Sequence, residues 1–233
     1  MRRRIRHLVV VVPARNEEAT LDACLRSIAV AAERIAPVTC TTVLVLDACT
    51  DGSREIAARH PSLVTIERSF ENVGLSRAAG VEAGLRLANA DPRTVWIATT
   101  DADSEVPPGW LARNLRAARD ADVFVGAVVP VLHDLDDSRR DAWVRIHPPG
   151  ATLGHVHGAN LGVRADVYLR SGGFAALARD EDVTLVERLR AGGARVAESE
   201  DDPVVTSSRL EGRVSGGYAQ YLNDLGLSDL APT

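Results

Sequence analysis

No lysine occurs anywhere in the sequence: all 27 basic residues among its 233 are arginines. Lysine chemistry such as Schiff-base formation is therefore excluded, and any side chain that binds phosphate as a cation must be a guanidinium. Aromatic residues are also scarce, at 4%, so the core must consist mainly of Ala, Val, Leu and Ile. The formal net charge of -5 disfavours nucleic-acid binding, a function of mostly basic proteins.

Cysteine is equally limited. Cys24, Cys40 and Cys49 are odd in number, widely spaced and form no C-x-x-C pair. This pattern disfavours both a disulfide framework and a zinc site, and it is typical of proteins in a reducing compartment. We therefore expect a cytoplasmic protein.

Long apolar runs are absent as well. The run 8–12 follows the basic start MRRRIRH, but it is too short for a secretion signal and is followed by the charged stretch 15–17. No stretch approaches the roughly 20 apolar residues of a membrane span. We expect no transmembrane segment, although the basic N-terminus would allow weak peripheral contact with anionic lipid.

What the sequence does contain is an alternation of short apolar runs with amphipathic patterns, which predicts one α/β domain with a mostly parallel central sheet flanked by helices. The predicted strands are 8–12, 43–46, 63–67, 95–99 and 123–131, and the predicted helices are 17–34, 51–59, 75–89 and 108–119.

The second half begins with a charged segment at 133–150, predicted as a loop or lid with a short helix near 138–144. Trp143 in this segment is the candidate to stack on a ligand ring, whereas His133, His147 and His155 are expected in loops or at the surface. The remaining predicted elements are ordered segments at 158–163 and 165–170, a helix at 180–191, short strands at 194–197 and 204–206, and a final helix at 218–225.

Acidic residues stand directly after predicted strands, at the sheet edge where open α/β folds bind ligands. Asp101 and Asp103 follow the fourth strand, and their mutual repulsion favours a bound Mg²⁺ or Mn²⁺ with a substrate diphosphate. Asp47 ends the second strand, where an acid can bind a base or ribose. Helix capping remains an alternative role for the segment that begins at Asp47, for 13–17 and for the acids at 180–182. If the acids at 180–182 do not serve as caps, one of them would be a general base.

Five segments occur in a characteristic order: VVVPARNEEATLDACLRSI, VLDACTDGS, TTDADSEVPPGWL, HGANLGVR and DEDVTLVERLRAGG. This series resembles the family 2 glycosyltransferases of the GT-A fold and covers about residues 7–200. The resemblance implies a single GT-A (Rossmann-like) domain. Its expected parts are a nucleotide-binding half at about 1–105, an acceptor and catalytic half at about 106–205, and a C-terminal tail at 206–233.

The resemblance also implies roles for individual residues. Asp182 would be the catalytic base with Glu181 beside it, and Asp103 with Asp101 would bind Mg²⁺ or Mn²⁺. The residues implied to line the donor and sugar site are Pro13, Ala14, Arg15, Glu17, Asp47, Arg77, Asp101, Ala102, Asp103, His157, Gly158 and Asn160.

The sequence departs from the family pattern at several positions. Ala48 stands where the family often has a second acid, and Ala79-Gly80 replaces an Arg-Asn pair, for which Arg77 is the candidate substitute cation. Some members of the family have a metal-binding histidine near the C-terminus, but no histidine follows His157 in this sequence. The run 206–213 is the alternative segment that would close over the diphosphate. The Q-x-x-R-W motif of processive synthases is absent.

The expected function is metal-dependent transfer, with inversion, of a sugar (a hexose) from a UDP- or GDP-type donor to an acceptor hydroxyl. A catalytically impaired nucleotide-sugar-binding protein and a sugar nucleotidyltransferase remain as alternatives. The absence of G-x-G-x-x-G argues against a dinucleotide dehydrogenase. The sequence predicts that Asp103 and Asp182 share one cleft.

Overall fold

The computed structural model describes residues 3–212 and 217–225, which form an eight-stranded sheet and eight α-helices. The strands are β1 (His7–Ala14), β2 (Thr39–Asp47), β3 (Val64–Arg68), β4 (Val95–Thr99), β5 (Ser104–Glu105), β6 (Val123–Pro130), β7 (Leu161–Arg164) and β8 (Val196–Thr206). The helices are α1 (Leu21–Glu33), α2 (Ser53–Ala58), α3 (Val73–Ala88), α4 (Trp110–Ala117), α5 (Asp137–Ile146), α6 (Ala165–Arg170), α7 (Glu181–Ala191) and α8 (Tyr218–Leu225).

The sheet has the strand order β3-β2-β1-β4-β7-β6-β8-β5. The strands β3, β2, β1 and β4 are parallel to one another. β7 runs antiparallel to both of its neighbours, β4 and β6, whereas β8 is parallel to β6. The prediction of one α/β domain with a mostly parallel sheet is confirmed. Because parallel strands end at the same edge, the loops after β1, β2 and β4 meet there.

The unbroken apolar run of β1 is explained by burial on both faces of the sheet. Leu8, Val10 and Val12 pack into the hydrophobic cluster that contains α1 and α4. Val9 and Val11 point the other way, into the cluster that contains α7. Two hydrophobic layers therefore hold the central strand rigidly and fix the position of the loop that follows it.

The helix predicted near 138–144 is present as α5, which spans ten residues of the segment 133–150 and packs through Trp143 against Leu222 and Leu225 of α8. One prediction for the second half needs correction. The two short strands predicted at 194–197 and 204–206 are one strand, β8, with an irregular register against Gly126–Val128. The contact between α5 and α8 joins segments far apart in the chain, which no local pattern reveals.

In the described residues, no helix combines the length and the apolar character needed to cross a bilayer.

Candidate functional site

A cavity of about 600 Å³ opens at the carboxyl ends of β1, β2 and β4. The structure brings almost all of the predicted site residues to its walls, including Asp103 and Asp182, which share this one cavity. The predicted residues that line it are Pro13, Ala14, Arg15, Glu17, Asp47, Arg77, Asp101, Ala102, Asp103, His157, Gly158, Glu181 and Asp182.

Asn160 is placed differently from the prediction. Its side chain is buried and points into the core, where Oδ1 accepts a hydrogen bond of 2.9 Å from the Trp110 indole and Nδ2 donates to the Ala127 carbonyl. Asn160 does not line the cavity. It anchors the turn at Gly158–Asn160 to the sheet instead, because a buried amide must satisfy its hydrogen-bonding groups.

Arg77 links two of the predicted motifs. Its buried guanidinium forms ion pairs with Asp101 of the Asp-x-Asp loop and with Glu181 at the start of α7. The backbone of Gly158 lies directly over this group, since a Cβ there would be 2.3 Å from the Arg77 Cζ atom. Only glycine permits so close an approach.

The roles predicted for Arg77 and Glu181 must therefore be revised. Arg77 was the candidate to contact the diphosphate, but its two terminal nitrogens face carboxylates of the protein. Glu181 was grouped with the catalytic residues, but it is 3% exposed and held by Arg77. Both act as positioning residues, because their mutual attraction fixes the start of α7 against the Asp-x-Asp loop.

Asp103 is a buried carboxyl group of the cavity whose pKa is raised. Burial, and secondly the negative charge of Asp101, raise its pKa to about 6. Arg209, which follows β8, acts in the opposite direction: its Nη2 lies 2.8 Å from Oδ2 of Asp103, and its Nη1 lies 3.0 Å from both carboxylate oxygens of Glu17. Arg209 thus reaches the acidic site from the predicted run 206–213, of which Arg213 lies outside the described residues.

Both carboxylate oxygens of Asp182 accept hydrogen bonds from backbone N–H groups. Its Oδ2 accepts a hydrogen bond from the Gly158 N–H, and its Oδ1 accepts one of 2.8 Å from the Val183 N–H. The residue lies in the first turn of α7, where the helix dipole favours a negative charge. An oriented and partly exposed carboxylate at a cavity wall is suited to receive a proton.

Asp47 organises the loop between β3 and α3. Its Oδ1 accepts from the N–H groups of Phe70 and Glu71, and its Oδ2 accepts from the Asn72 N–H and the Ser76 hydroxyl, all within 3.1 Å. Burial by itself would raise the pKa of Asp47, but these hydrogen bonds outweigh it and hold the pKa below the ordinary value. The carboxylate predicted to contact a base is therefore already engaged in shaping the wall.

Replacing Asp47 with asparagine should lower the free energy of unfolding by about 1.5–3 kcal/mol at pH 7, because an amide nitrogen cannot accept two of the four hydrogen bonds. A depressed pKa means that this contribution is complete above pH ~4 and is lost as the pH falls through the native-state pKa. Urea unfolding at several pH values should show the difference from wild type shrinking in acid. Glu67→Gln, which alters only an exposed ion pair with Arg54, is the control. An equal deficit at all pH values would contradict the assignment.

Of one wall of the cavity, only His157 was predicted from the sequence as a site residue. We call it the aromatic wall, and its members, all lining the cavity, are His147, Thr152, His155, His157, Tyr218 and Tyr221. His147 and His155 had been expected in loops or at the surface, and Tyr218 and Tyr221 had no predicted role. Trp143 is 7% exposed and lies behind the wall, so it supports His147 rather than contacting a sugar. These residues come from three separate segments, and no spacing rule connects them.

The structure brings the Asp-x-Asp loop and the acid at the start of α7 to one cavity at the carboxyl ends of the parallel strands. Solved structures of glycosyltransferases of the GT-A type share this fold. The chain belongs to glycosyl transferase family 2, whose family model matches residues 9–172. The family assignment favours sugar transfer over the nucleotidyl transfer considered as an alternative.

One similar protein is an undecaprenyl-phosphate 4-deoxy-4-formamido-L-arabinose transferase of Aeromonas hydrophila, which is 29% identical over 146 residues. Among solved structures, S. aureus TarS 1-349 in complex with UDP-GlcNAc superimposes with a TM-score of 0.66 at 15% identity, covering 91% of this chain and 61% of that one. The mannosyltransferase PcManGT of Pyrobaculum calidifontis, in complex with GDP-Man and Mn²⁺, has a TM-score of 0.60 at 23% identity, covering 92% and 59%.

A third structure, glucosyl-3-phosphoglycerate synthase of Mycobacterium tuberculosis with Mn²⁺, UDP and glucosyl-3-phosphoglycerate, has a TM-score of 0.61 at 15% identity, covering 96% of this chain and 79% of that one. At these identities the structural likeness establishes the fold. The match with the Aeromonas protein covers 60% of this chain but only 40% of the relative, so the chain aligns with less than half of that protein's length.

Proposed function

We propose that this protein transfers a hexose from a UDP- or GDP-type sugar to an acceptor hydroxyl, with the help of Mg²⁺ or Mn²⁺ and with inversion at the sugar. The observation that carries the proposal is that the Asp-x-Asp loop and Asp182 line one cavity. The similar structures contain UDP-GlcNAc in TarS, and GDP-Man with Mn²⁺ in PcManGT, which supports a donor of this chemical class.

The charge of the cavity supports the proposed metal. Eight carboxylates line it, against four arginines: the acids are Glu17, Asp47, Glu71, Asp101, Asp103, Asp180, Glu181 and Asp182, and the arginines are Arg15, Arg77, Arg179 and Arg209. An anionic diphosphate would be repelled from such a site unless a further cation entered with it. Burial is the main cause of the raised pKa of Asp103, and the negative charge of Asp101 adds to it.

Asp103, assisted by Asp101, is the group that would hold the metal. The described residues contain no cluster of three or more metal-ligating side chains, so the protein would supply one or two carboxylates, as is usual for Mg²⁺ bound with a phosphate substrate. When bound, the metal would supply positive charge to the leaving nucleoside diphosphate. Arg209 contacts the same carboxylate and would add a second cation at the diphosphate.

Asp182 would accept the proton of the acceptor hydroxyl as that oxygen attacks the anomeric carbon. Its neighbour Glu181 is tied to Arg77 and is therefore unsuited to act as a nucleophile in a two-step reaction. A single oriented carboxylate supports direct displacement and hence inversion. In this scheme the donor occupies the half at about 1–105 and the acceptor contacts the half at about 106–205. α8 lines the cavity and packs against α5.

Replacing Asp103 with asparagine should weaken Mn²⁺-dependent binding of UDP or GDP by about 10- to 100-fold, since a charge-assisted contact is lost. Calorimetric titration of the nucleotide with and without Mn²⁺ measures this effect. Glu105→Gln removes an exposed acid two residues away and should bind like the wild type. Metal-dependent affinity that is unchanged in Asp103→Asn would show that the metal is held elsewhere.

The overall proposal is tested by incubating the protein with a panel of UDP- and GDP-sugars and Mn²⁺ and measuring both the melting temperature and nucleotide release. At least one donor should raise the melting temperature and be slowly hydrolysed by water in place of the acceptor. A donor that binds but is never cleaved, with or without acceptors, would indicate a nucleotide-sugar-binding protein. If none of the donors binds, the proposed donor class is wrong.

A further inference from the structure

The rings of the aromatic wall, with Trp143 behind them, form a series of stacked, tilted and edge-on contacts. Trp143 stacks on His147 with centroids 4.2 Å apart, and Tyr221 meets His147 edge-on at 6.1 Å. Tyr218 lies 5.8 Å from Tyr221 and 5.8 Å from His157. In a chain with so few aromatic residues, two of the three tyrosines lie on this single surface.

Hydrogen bonds fix the orientation of these rings. The Trp143 carbonyl can only accept, so the Nδ1 of His147 donates to it at 2.8 Å, and the Nε2 of His147 faces the Tyr221 hydroxyl at 3.2 Å. Tyr221 nevertheless remains 37% exposed. The contact with His147 therefore holds the Tyr221 ring in place, and part of the ring is available to a ligand. A ring that is already oriented in this way favours binding, because less conformational freedom is lost when the ligand binds.

The wall begins at the proposed base. Asp182 accepts a hydrogen bond from Gly158, and the adjacent residue, His157, contacts Tyr218 through the edge of its ring. Burial lowers the pKa of His157, although the charge of Asp182 acts in the opposite direction. A molecule whose hydroxyl reaches Asp182 would therefore lie along the rings of this wall.

The arginines of the cavity already face protein carboxylates, and Arg209, which lies beside the proposed metal-binding acid Asp103, is assigned to the donor diphosphate. Each arginine that lines the cavity forms an ion pair with a carboxylate: Arg15 with Glu71, Arg77 with Asp101 and Glu181, Arg179 with Asp180, and Arg209 with Glu17 and Asp103. The aromatic wall itself contributes no arginine. A phosphate group on the acceptor would add negative charge beside eight carboxylates, and this is electrostatically unfavourable.

We propose that the aromatic wall is the acceptor subsite and that it selects an uncharged, ring-bearing hydroxyl compound, with a neutral glycoside as the class. The apolar face of a sugar ring would lie against Tyr221, in the cavity whose wall also holds Asp182. This inference rests on the proposed function, since it takes Asp182 as the group that meets the acceptor. It excludes acceptors whose recognition depends on a phosphate.

Saturation-transfer NMR tests the subsite without requiring turnover. The probes are methyl α-D-glucopyranoside and methyl α-D-mannopyranoside, compared with glucose 6-phosphate and mannose 6-phosphate, in the presence of UDP or GDP and Mn²⁺. The neutral glycosides should show saturation on their ring protons, and the sugar phosphates should show much less. Tyr221→Ala should weaken glycoside binding by about tenfold, whereas Tyr221→Phe, which keeps the ring but loses the hydrogen bond to His147, should weaken it clearly less.

Leu87→Ala, at an exposed apolar position of α3 remote from the cavity, should leave the spectra unchanged. The inference is overturned if the sugar phosphates bind as well as the glycosides, if neither glycoside binds, or if Tyr221→Ala, shown to be folded by its melting temperature, retains the wild-type signal. Donor cleavage by the wild type is measured separately. Normal cleavage without glycoside binding would refute this subsite alone, and absent cleavage would count against the proposed function.

Discussion

Replacing Asp182 with asparagine is expected to lower the turnover of sugar transfer by about 10²–10⁴-fold while leaving binding of the donor nucleotide nearly unchanged. Asparagine has almost the same shape, but its amide cannot accept the proton of the acceptor hydroxyl. It also has one acceptor oxygen where the carboxylate has two, so only one of the contacts to Gly158 and Val183 can persist. The measurement is steady-state transfer, with nucleotide affinity determined by calorimetry on the same preparation.

The control for Asp182→Asn lies on the same helix. Glu187 is an exposed acid of α7, and Glu187→Gln changes the net charge by the same amount without altering the cavity. Its turnover should match the wild type. If Asp182→Asn transfers sugar at a near-normal rate, Asp182 has no part in proton transfer, whatever its position in the cavity.

Replacing Arg77 with methionine is expected to lower the free energy of unfolding by about 3–5 kcal/mol, as is typical when one member of a buried ion pair is removed. Arg77 and Glu181 are each 3% exposed, and the change would leave Glu181 with an uncompensated buried charge. Urea unfolding monitored by circular dichroism measures the loss. The same variant should also impair catalysis, because the start of α7 and the Asp-x-Asp loop would no longer be tied together.

A control and a second variant make the expected loss for Arg77→Met interpretable. Arg86→Met breaks an exposed pair with Glu82 on the same helix and should leave stability nearly unchanged. Adding Glu181→Gln to Arg77→Met should restore part of the stability, because the buried charge is then removed. If Arg77→Met is as stable as Arg86→Met, the buried ion pairs do not hold these elements together.

The fold could be predicted from the sequence because its signals are local. The five apolar runs became β1, β2, β3, β4 and β6, and β1 is uniformly apolar since both of its faces are buried. Strand β5 was not predicted, because a strand of two residues is too short to show an alternating pattern of apolar and polar residues. The division of β8 into two strands was wrong because the intervening acidic stretch 198–202 has exposed and half-buried positions and lacks an apolar pattern.

The candidate site was predicted less completely than the fold. The Asp-x-Asp loop, Asp182 and the residues after β1 line one cavity, because the carboxyl ends of parallel strands meet at one edge. The engagement of Asp47 with its neighbouring loop could not be foreseen, since it depends on how closely three backbone N–H groups approach the carboxylate. The aromatic wall likewise depends on α5 and α8 packing together.

By itself the sequence determined the composition of the core, the order of strands and helices, and the acidic residues that follow the strands, because each depends on near neighbours in the chain. The tertiary structure decided which charges compensate one another. Arg77 lies 104 residues from Glu181, and Arg209 lies 192 residues from Glu17. Whether such groups bind a substrate or each other is set by the distances that folding creates, since the strength of an ion pair depends on separation and burial.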